Sequence, residues 1–430
     1  MLELKYQQLM AGRAGDGGGY EWCCLLCGAP DSVLTRWRCR HCGGAMDAIY
    51  DLAGVSIVDS PDPLRRYAGL LPVRDRSALR WTGEGNTGCV HAENLGRKLG
   101  LSALFVKDET ANPTRSTKDR MASVALARFA ELGVRSLALA STGNSSTAYV
   151  RAAELLGGFD LHVFVGATFL TRLTYADHPG VHTYLIDSDF VAAGEYAKRF
   201  SAARGMLFEG GFFNPARREG LKLAYLEAFD QLPVPPRYVF QAISSGMGLL
   251  GAYKGAVEYR ALGRLGELPA FVGVQQDSCS PMARAYAAGM STLDRQYVVP
   301  NPTGIAEAIL RGDPTQAYPY INTICRSTGG QVLAVTTEEI RAAHRLVEEL
   351  EGLQICYSSA TAVAGLIASR QRGEIEPDAP ILVNLTGGNR PRLPVPQDVI
   401  PWTEDLAEPV GDRVGPDRVA EPVLEGGRAR

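Results

Sequence analysis

The chain has 430 residues, 46% of them hydrophobic and 21% charged, with a formal net charge of -3 at pH 7. That length exceeds one ordinary domain and supplies a sizeable core. The charge balance gives no general attraction to nucleic acid or to an anionic membrane, no apolar run reaches bilayer-spanning length, and "MLELKYQQLM" lacks the basic-then-apolar pattern of a signal peptide. These features predict a cytoplasmic protein whose partners are small molecules.

In chain order, glycine-rich "AGRAGDGGGYEW" (11–22) is expected to be mobile. Five of the nine cysteines then crowd between Cys23 and Cys42. Cys24-Leu-Leu-Cys27-Gly and Cys39-Arg-His-Cys42-Gly-Gly are two CxxC knuckles at ribbon-like spacing, and four thiolates in two such turns suit tetrahedral Zn2+. Cys23 is the spare residue, although it could replace Cys24, and His41 could substitute for a thiolate. A closed four-thiolate site leaves no open position for substrate, so the predicted zinc is structural. Residues 1–50 are therefore read as an N-terminal segment with a zinc ribbon.

From about residue 100, apolar β-branched runs alternate with amphipathic segments. "ALFVK", "RSLALA", "DLHVFVG", "HTYLID", "RYVFQA", "AFVGVQ", "QVLAVT" and "ILVNLT" read as buried strands of parallel sheets. In "TEEIRAAHRLVEELEG", Ile340, Ala343, Val347 and Leu350 fall on one helical face, and Gly352 closes the helix. The alternation predicts a doubly wound α/β core over 51–400, with ligands beyond the carboxyl ends of strands. A smaller subdomain is expected at about 105–210, a larger one from the remainder, and a flexible tail over 401–430.

Lys118, in "NPTRSTKDR", lies where a turn becomes a helix, a place where the helix dipole disfavours a free ammonium. A lysine whose amine forms an imine with an aldehyde cofactor escapes that objection, and pyridoxal phosphate is the commonest such partner. Three small-residue turns follow strands further along. Ser141-Thr-Gly-Asn-Ser-Ser146 suits a carboxylate, Ser244-Ser-Gly-Met-Gly248 suits a phosphate dianion at a helix start, and Thr386-Gly-Gly-Asn389 follows the last strand. Each turn alone is explained by helix capping. In this order after Lys118 they form a set.

From about Trp81 to Leu393 the sequence resembles fold type II pyridoxal-phosphate enzymes (tryptophan synthase β-like), especially threonine synthases and cysteate synthases. "TGEGNTG" (Thr82 to Gly88) is similar to the family's opening motif and "NPTRSTKDR" (Asn112 to Arg120) to its lysine motif. The resemblance implies that Lys118 is the Schiff-base residue and Asn144 the partner of the cofactor's ring oxygen. It places Ser141, Thr142 and Ser145 at the substrate carboxylate, and Ser244, Ser245, Gly246, Met247 and Gly248 at the cofactor phosphate. Thr386 then stands at the pyridine nitrogen. A hydroxyl there leaves the nitrogen largely unprotonated, which favours elimination and replacement. A homodimer is also implied.

Two departures bear on the reaction. Arg115 stands where the lysine motif usually has glycine, and "FEGGFFNPARREG" has Gly211 and Phe212 where threonine synthases carry an Asn-Ser pair. That segment is closer to cysteate synthases. Arg115, Arg217 and Arg218 are the candidates for a departing phosphate or an incoming anion such as sulfite. The first expectation is β-replacement on O-phospho-L-serine by a small nucleophile. The alternative is threonine synthase chemistry on O-phosphohomoserine, and a third is a non-catalytic ribbon-bearing binding protein.

Overall fold

The apolar runs read as strands all form, and they divide between two sheets. The computed structural model describes residues 4–11, 19–391 and 394–408; the rest of the glycine-rich segment (12–18) and the tail from 409 onward lie outside the described residues. β1 (Tyr20–Cys24) and β2 (Met46–Tyr50) pair antiparallel into a hairpin that carries the cysteine knuckles. Then follow β3 (Cys89–His91), β4 (Leu104–Asp108), β5 (Ser136–Ala140), β6 (Asp160–Gly166), β7 (Val181–Ile186) and β8 (Leu207–Phe208). The last five are β9 (Tyr238–Ala242), β10 (Ala270–Gln276), β11 (Gln331–Val335), β12 (Ile381–Leu385) and β13 (Val399–Pro401).

The larger sheet has the order β11-β10-β9-β12-β4-β3, parallel except for β3. The smaller has the order β13-β7-β6-β5-β8 and is parallel throughout. β10 and β12 are buried along their whole length, which is why they read as unbroken apolar runs. The helix Thr337–Glu351 opens with a Thr336/Glu339 capping box and closes on Gly352. It buries Ile340, Ala343 and Val347 in the apolar cluster outside the larger sheet, packing on the helices Tyr357–Gln371 and Glu93–Leu99. Among the described residues, no helix is long and apolar enough to cross a membrane.

Two boundaries differ from the sequence expectation. β4, inside the span predicted for the smaller subdomain, pairs with β12 in the larger sheet, because its apolar residues Leu104 to Val106 are buried there. The predicted tail from Pro401 instead begins within the smaller sheet. Trp402 donates its backbone N–H to Leu185 (3.0 Å) and packs on Phe164, Tyr196 and Phe200. Its large apolar side chain gives this stretch something to bury despite the surrounding charge.

A cluster of buried charges docks the β1–β2 hairpin on the helices Pro215–Gln231 and Met247–Ala261. Asp47 on β2 lies 3.2 Å from Arg218 and 3.3 Å from Lys254. Lys254 also pairs with Glu219, and Lys222 with Glu258 at 2.7 Å. Sealed from water, these pairs hold the ribbon in one register on the core, since breaking any one strands a buried charge.

Candidate active site

A cavity of about 620 Å³ is bounded by residues at the carboxyl ends of β5, β9 and β12, where an open α/β sheet is expected to bind ligands. Lys118 begins the helix Lys118–Glu131 and faces this cavity. Its position is fixed by the loop following β12: Thr117 donates to the Thr386 carbonyl (2.9 Å), and Gly388 donates to that of Arg115 (2.9 Å). Burial lowers the pKa of the Lys118 amine to about 8, Arg217 adding to the effect and Glu109 opposing it. The amine is thus far more available as a base or nucleophile near neutral pH than an exposed lysine.

Ser141, Thr142, Asn144 and Ser145 line the same cavity from the start of the helix Asn144–Leu156. The Ser141 hydroxyl accepts the N–H groups of Gly143 and Ser146, both at 3.0 Å, holding the turn open toward the cavity. Arg172 donates to the Thr142 carbonyl (2.8 Å) and to Asn144 Oδ1 (3.4 Å). Across the cavity lie Ser244, Ser245, Gly246, Met247 and Gly248, with the helix Met247–Ala261 starting at its rim. Gly246 has a left-handed φ of 76°, and a Cβ there would run into the Ile321 side chain. Small residues and backbone amides at a helix start make a cradle for a phosphate dianion. Thr386 completes the lining beside Gly387.

Arg217 also reaches the cavity. It donates to Glu209 (2.6 Å) and to Ser145 Oγ (2.8 Å), linking the segment after β8 to the serine-rich turn. The other two arginine candidates are not brought there. Arg218, the next residue along the helix, is buried on another side, donating to the carbonyls of Phe212 (2.7 Å) and Met46 (2.6 Å) beside Asp47. Arg115 has φ 55°, a left-handed conformation that explains why glycine suits the position. Its guanidinium donates to the Gln354 carbonyl (3.0 Å) and does not line the cavity.

A third group of residues holds the site without entering it. Arg120 is fully buried and donates to Glu109 (2.7 and 2.8 Å) and Glu227 (2.8 and 2.7 Å). Glu227 also accepts from Lys107 (2.9 Å) and from the backbone of Asn86 (2.9 Å) and Thr87 (3.3 Å). The conspicuous "TGEGNTG" and "KDR" motifs are therefore joined by one ion network anchored on a glutamate that sequence reasoning missed. Also missed were the cavity-lining Arg38 and Arg311, which no motif or spacing marks. His162 is buried on the smaller sheet beside Asp160 (3.0 Å) and Tyr184 (3.2 Å), and Cys279 is buried as well; neither lines the cavity.

The four knuckle sulfurs converge. Cys24 Sγ lies 3.4 Å from Cys42 Sγ, Cys27 Sγ lies 3.7 Å from Cys39 Sγ, and all four fall within 4.8 Å of one another. A zinc–sulfur bond of about 2.3 Å requires sulfurs about 3.8 Å apart in a tetrahedron, so the cluster is compatible with zinc. The Leu26 and His41 amides donate to Cys24 and Cys39, each at 3.4 Å. Cys23 and His41 stand outside the group.

The sequence profile of the family described as "Pyridoxal-phosphate dependent enzyme" matches residues 80–387. The chain belongs to this family. It is 33% identical over 377 residues to a threonine synthase from Methanocaldococcus jannaschii, a match that covers 85% of this chain and 91% of that protein. A cysteate synthase from Methanosarcina mazei is 30% identical, with 86% of this chain and 92% of that protein covered. Among solved structures, the processed form of threonine deaminase isoform 2 from Solanum lycopersicum aligns with TM-score 0.58 at 18% identity, over 77% of this chain and 91% of that one. Maize serine racemase aligns with TM-score 0.57 at 18% identity, over 71% and 88%. The fold is that of the fold type II pyridoxal-phosphate enzymes. The protein is a pyridoxal-phosphate-dependent enzyme related to threonine and cysteate synthases, and the reading as a non-catalytic binding protein is set aside.

Proposed function

We propose that this enzyme replaces the phosphate of O-phospho-L-serine with an external nucleophile at the β-carbon. The cavity fits the family's cofactor on structural grounds: an amine with lowered pKa at Lys118, the small-residue turn Ser244–Gly248 at a helix start, and a hydroxyl at Thr386. Lys118 would hold it, Ser244 to Gly248 would take its phosphate, and Asn144 and Thr386 would serve its ring oxygen and ring nitrogen. Bound there, the cofactor supplies an aldehyde for the amino group and a ring that withdraws electrons from the α-carbon.

The chain's own groups do the rest. Ser141, Thr142 and Ser145 orient the substrate carboxylate, Ser145 being set by its bond from Arg217. Lys118 Nζ, uncharged in a useful fraction because of its lowered pKa, takes the α-proton. Arg217 places positive charge on the path of the departing phosphate.

The observation that carries the choice of substrate is the Gly211–Phe212 pair. Both residues line the cavity, and Phe212 is buried there, an apolar ring where threonine synthases carry an amide and a hydroxyl for phosphohomoserine. Threonine synthase chemistry remains the second reading, favoured by the 33% identity to such an enzyme. Mass spectrometry of products after offering phosphoserine or phosphohomoserine with sulfite, sulfide or water separates the two. Threonine and phosphate from phosphohomoserine, with no phosphate released from phosphoserine, refutes the first. We also infer a structural zinc on Cys24, Cys27, Cys39 and Cys42, and a homodimer, which metal analysis and light scattering test.

A further inference from the structure

The ribbon reaches the catalytic cavity. Between the two knuckles, Thr35, Arg36, Trp37 and Arg38 form part of its wall. Trp37 Nε1 donates to the Phe208 carbonyl (3.2 Å), and its ring lies against Gly210, whose φ of 94° and missing Cβ leave it room. Arg38 stacks on Phe213, 3.5 Å from the ring centroid, and hydrogen-bonds Gln316 Oε1. Gln316 belongs to the same loop as Arg311, which lines the cavity too.

The cations of this cavity are not equivalent. Arg36 is paired with Asp31 at 2.6 Å, Lys198 with Glu195 at 2.5 Å and Arg217 with Glu209 at 2.6 Å. Lys118 is committed to the cofactor. Neither Arg38 nor Arg311 forms a salt bridge among the described residues, and the Asp313 carboxylate acts on Arg311 only through space. Arg38 is bonded to the Gly43 carbonyl (3.4 Å) and Gln316, and Arg311 Nε donates only to the Asp313 carbonyl (3.2 Å). Arg311 is desolvated and meets only the nearby Asp313 as counter-charge, while Arg38 is exposed at the edge of the ribbon, so an anion entering the cavity adds the close counter-charge that Arg311 lacks. The guanidinium fork matches the oxygens of a phosphoryl group or similar oxyanion.

We infer that Arg311, from the loop before the helix Tyr318–Ser327, and Arg38, from the ribbon, form a subsite for a tetrahedral or pyramidal oxyanion. The inference rests on the reaction class proposed above and names the groups that select its anionic substrate. The same chemistry serves two sources, the phosphoryl group of the amino acid and an oxyanion nucleophile. The ribbon thereby becomes part of substrate selection, since Cys39 follows Arg38 directly in the chain and fixes where that arginine stands.

The test is calorimetric titration of the holoenzyme with inorganic phosphate, the cofactor's own phosphate already filling the glycine cradle. Arg311→Met and Arg38→Met are each expected to weaken phosphate binding about 10- to 100-fold, the loss of one charge-assisted bond pair. The conservative Arg311→Lys and Arg38→Lys variants should regain part of it. Retained visible cofactor absorbance shows that the variants are folded. Steady-state arms then separate the sources. A loss of kcat/KM with phosphoserine that spares O-acetylserine assigns the leaving phosphoryl group, and a loss with sulfite that spares sulfide assigns the nucleophile. Unchanged phosphate affinity in both methionine variants, with cofactor absorbance normal, overturns the subsite. A wild-type protein that gains no visible absorbance from pyridoxal phosphate refutes the underlying reading instead.

Discussion

Replacing Glu227 with glutamine should damage the protein far more than its distance from the cavity suggests. The carboxylate is buried, and burial alone would push its pKa up. The Arg120 charge and hydrogen bonds, with Lys107 and the Asn86 amide, more than reverse this and carry it down to about 2. Against an unfolded value of about 4.3, a shift of roughly two units corresponds to about 3 kcal/mol of stability. Removing one partner from a buried ion pair gives a similar loss, about 3–5 kcal/mol, because Arg120 and Lys107 would share only Glu109. The sign follows from the depressed pKa. The contribution is complete above the unfolded pKa and disappears as pH falls from about 5 through about 2. Thermal unfolding at pH 7 should therefore show the midpoint of Glu227→Gln lowered by roughly 3–6 °C. The gap to wild type should narrow in acid. Cofactor affinity should fall as well, since Asn86, Thr87 and the start of the Lys118 helix hang on this carboxylate. An unchanged midpoint at pH 7, or a gap that widens on acidification, refutes the reasoning.

Lys118→Ala should abolish the visible absorbance of the bound cofactor and lower kcat by at least about 100-fold, read by spectrophotometry and phosphate release. Without cofactor, Lys118→Met should be more stable than wild type at pH 7 by up to about 3 kcal/mol. The folded pKa of about 8 lies below the unfolded one, so the wild-type deficit should fade as pH rises from about 8 to 10, followed by denaturant midpoints. Gly246→Ala imposes a left-handed alanine, about 1–2 kcal/mol, plus a clash with Ile321, and should weaken cofactor binding about tenfold or more by titration. Stripping the knuckle sulfurs of metal, or Cys27→Ser, should loosen the Thr35–Arg38 wall. It should raise KM for the anionic substrate before the cofactor is lost, measured by kinetics alongside metal content.

Much of the fold was legible because parallel strands covered on both faces must be apolar along their length, and helices between them must carry one apolar stripe. β10, β12 and the helix Thr337–Glu351 stand where their patterns put them. β13 was not legible, since three residues of an edge strand carry no periodic signal. Trp402 was hidden for a related reason: a lone aromatic in a charged, proline-rich stretch gains its meaning from Phe164 and Phe200, remote in the chain. The polar turns at Ser141, Ser244 and Thr386 were legible as a set, each being a strand end that opens a helix or a glycine turn. That they face one cavity with Lys118 was settled only by the packing of the two sheets.

The arginines divide the two kinds of knowledge most clearly. The sequence alone placed Lys118, Asn144, the serine–glycine turn and Thr386 at helix starts and strand ends in an order that resembles the family's, because those positions depend on local turns and helix starts. It could not say where Arg217 and Arg218 each point, since adjacent helical residues lie about 100° apart and only the neighbouring elements decide which one faces the cavity. Tertiary structure gave Arg217 to Glu209 and Ser145, and Arg218 to the ribbon hairpin. It also brought Arg38 beside Gln316, a residue 278 positions away. Charge acts through space, so its partners and its solvent are fixed by the folded chain and not by the order of residues along it.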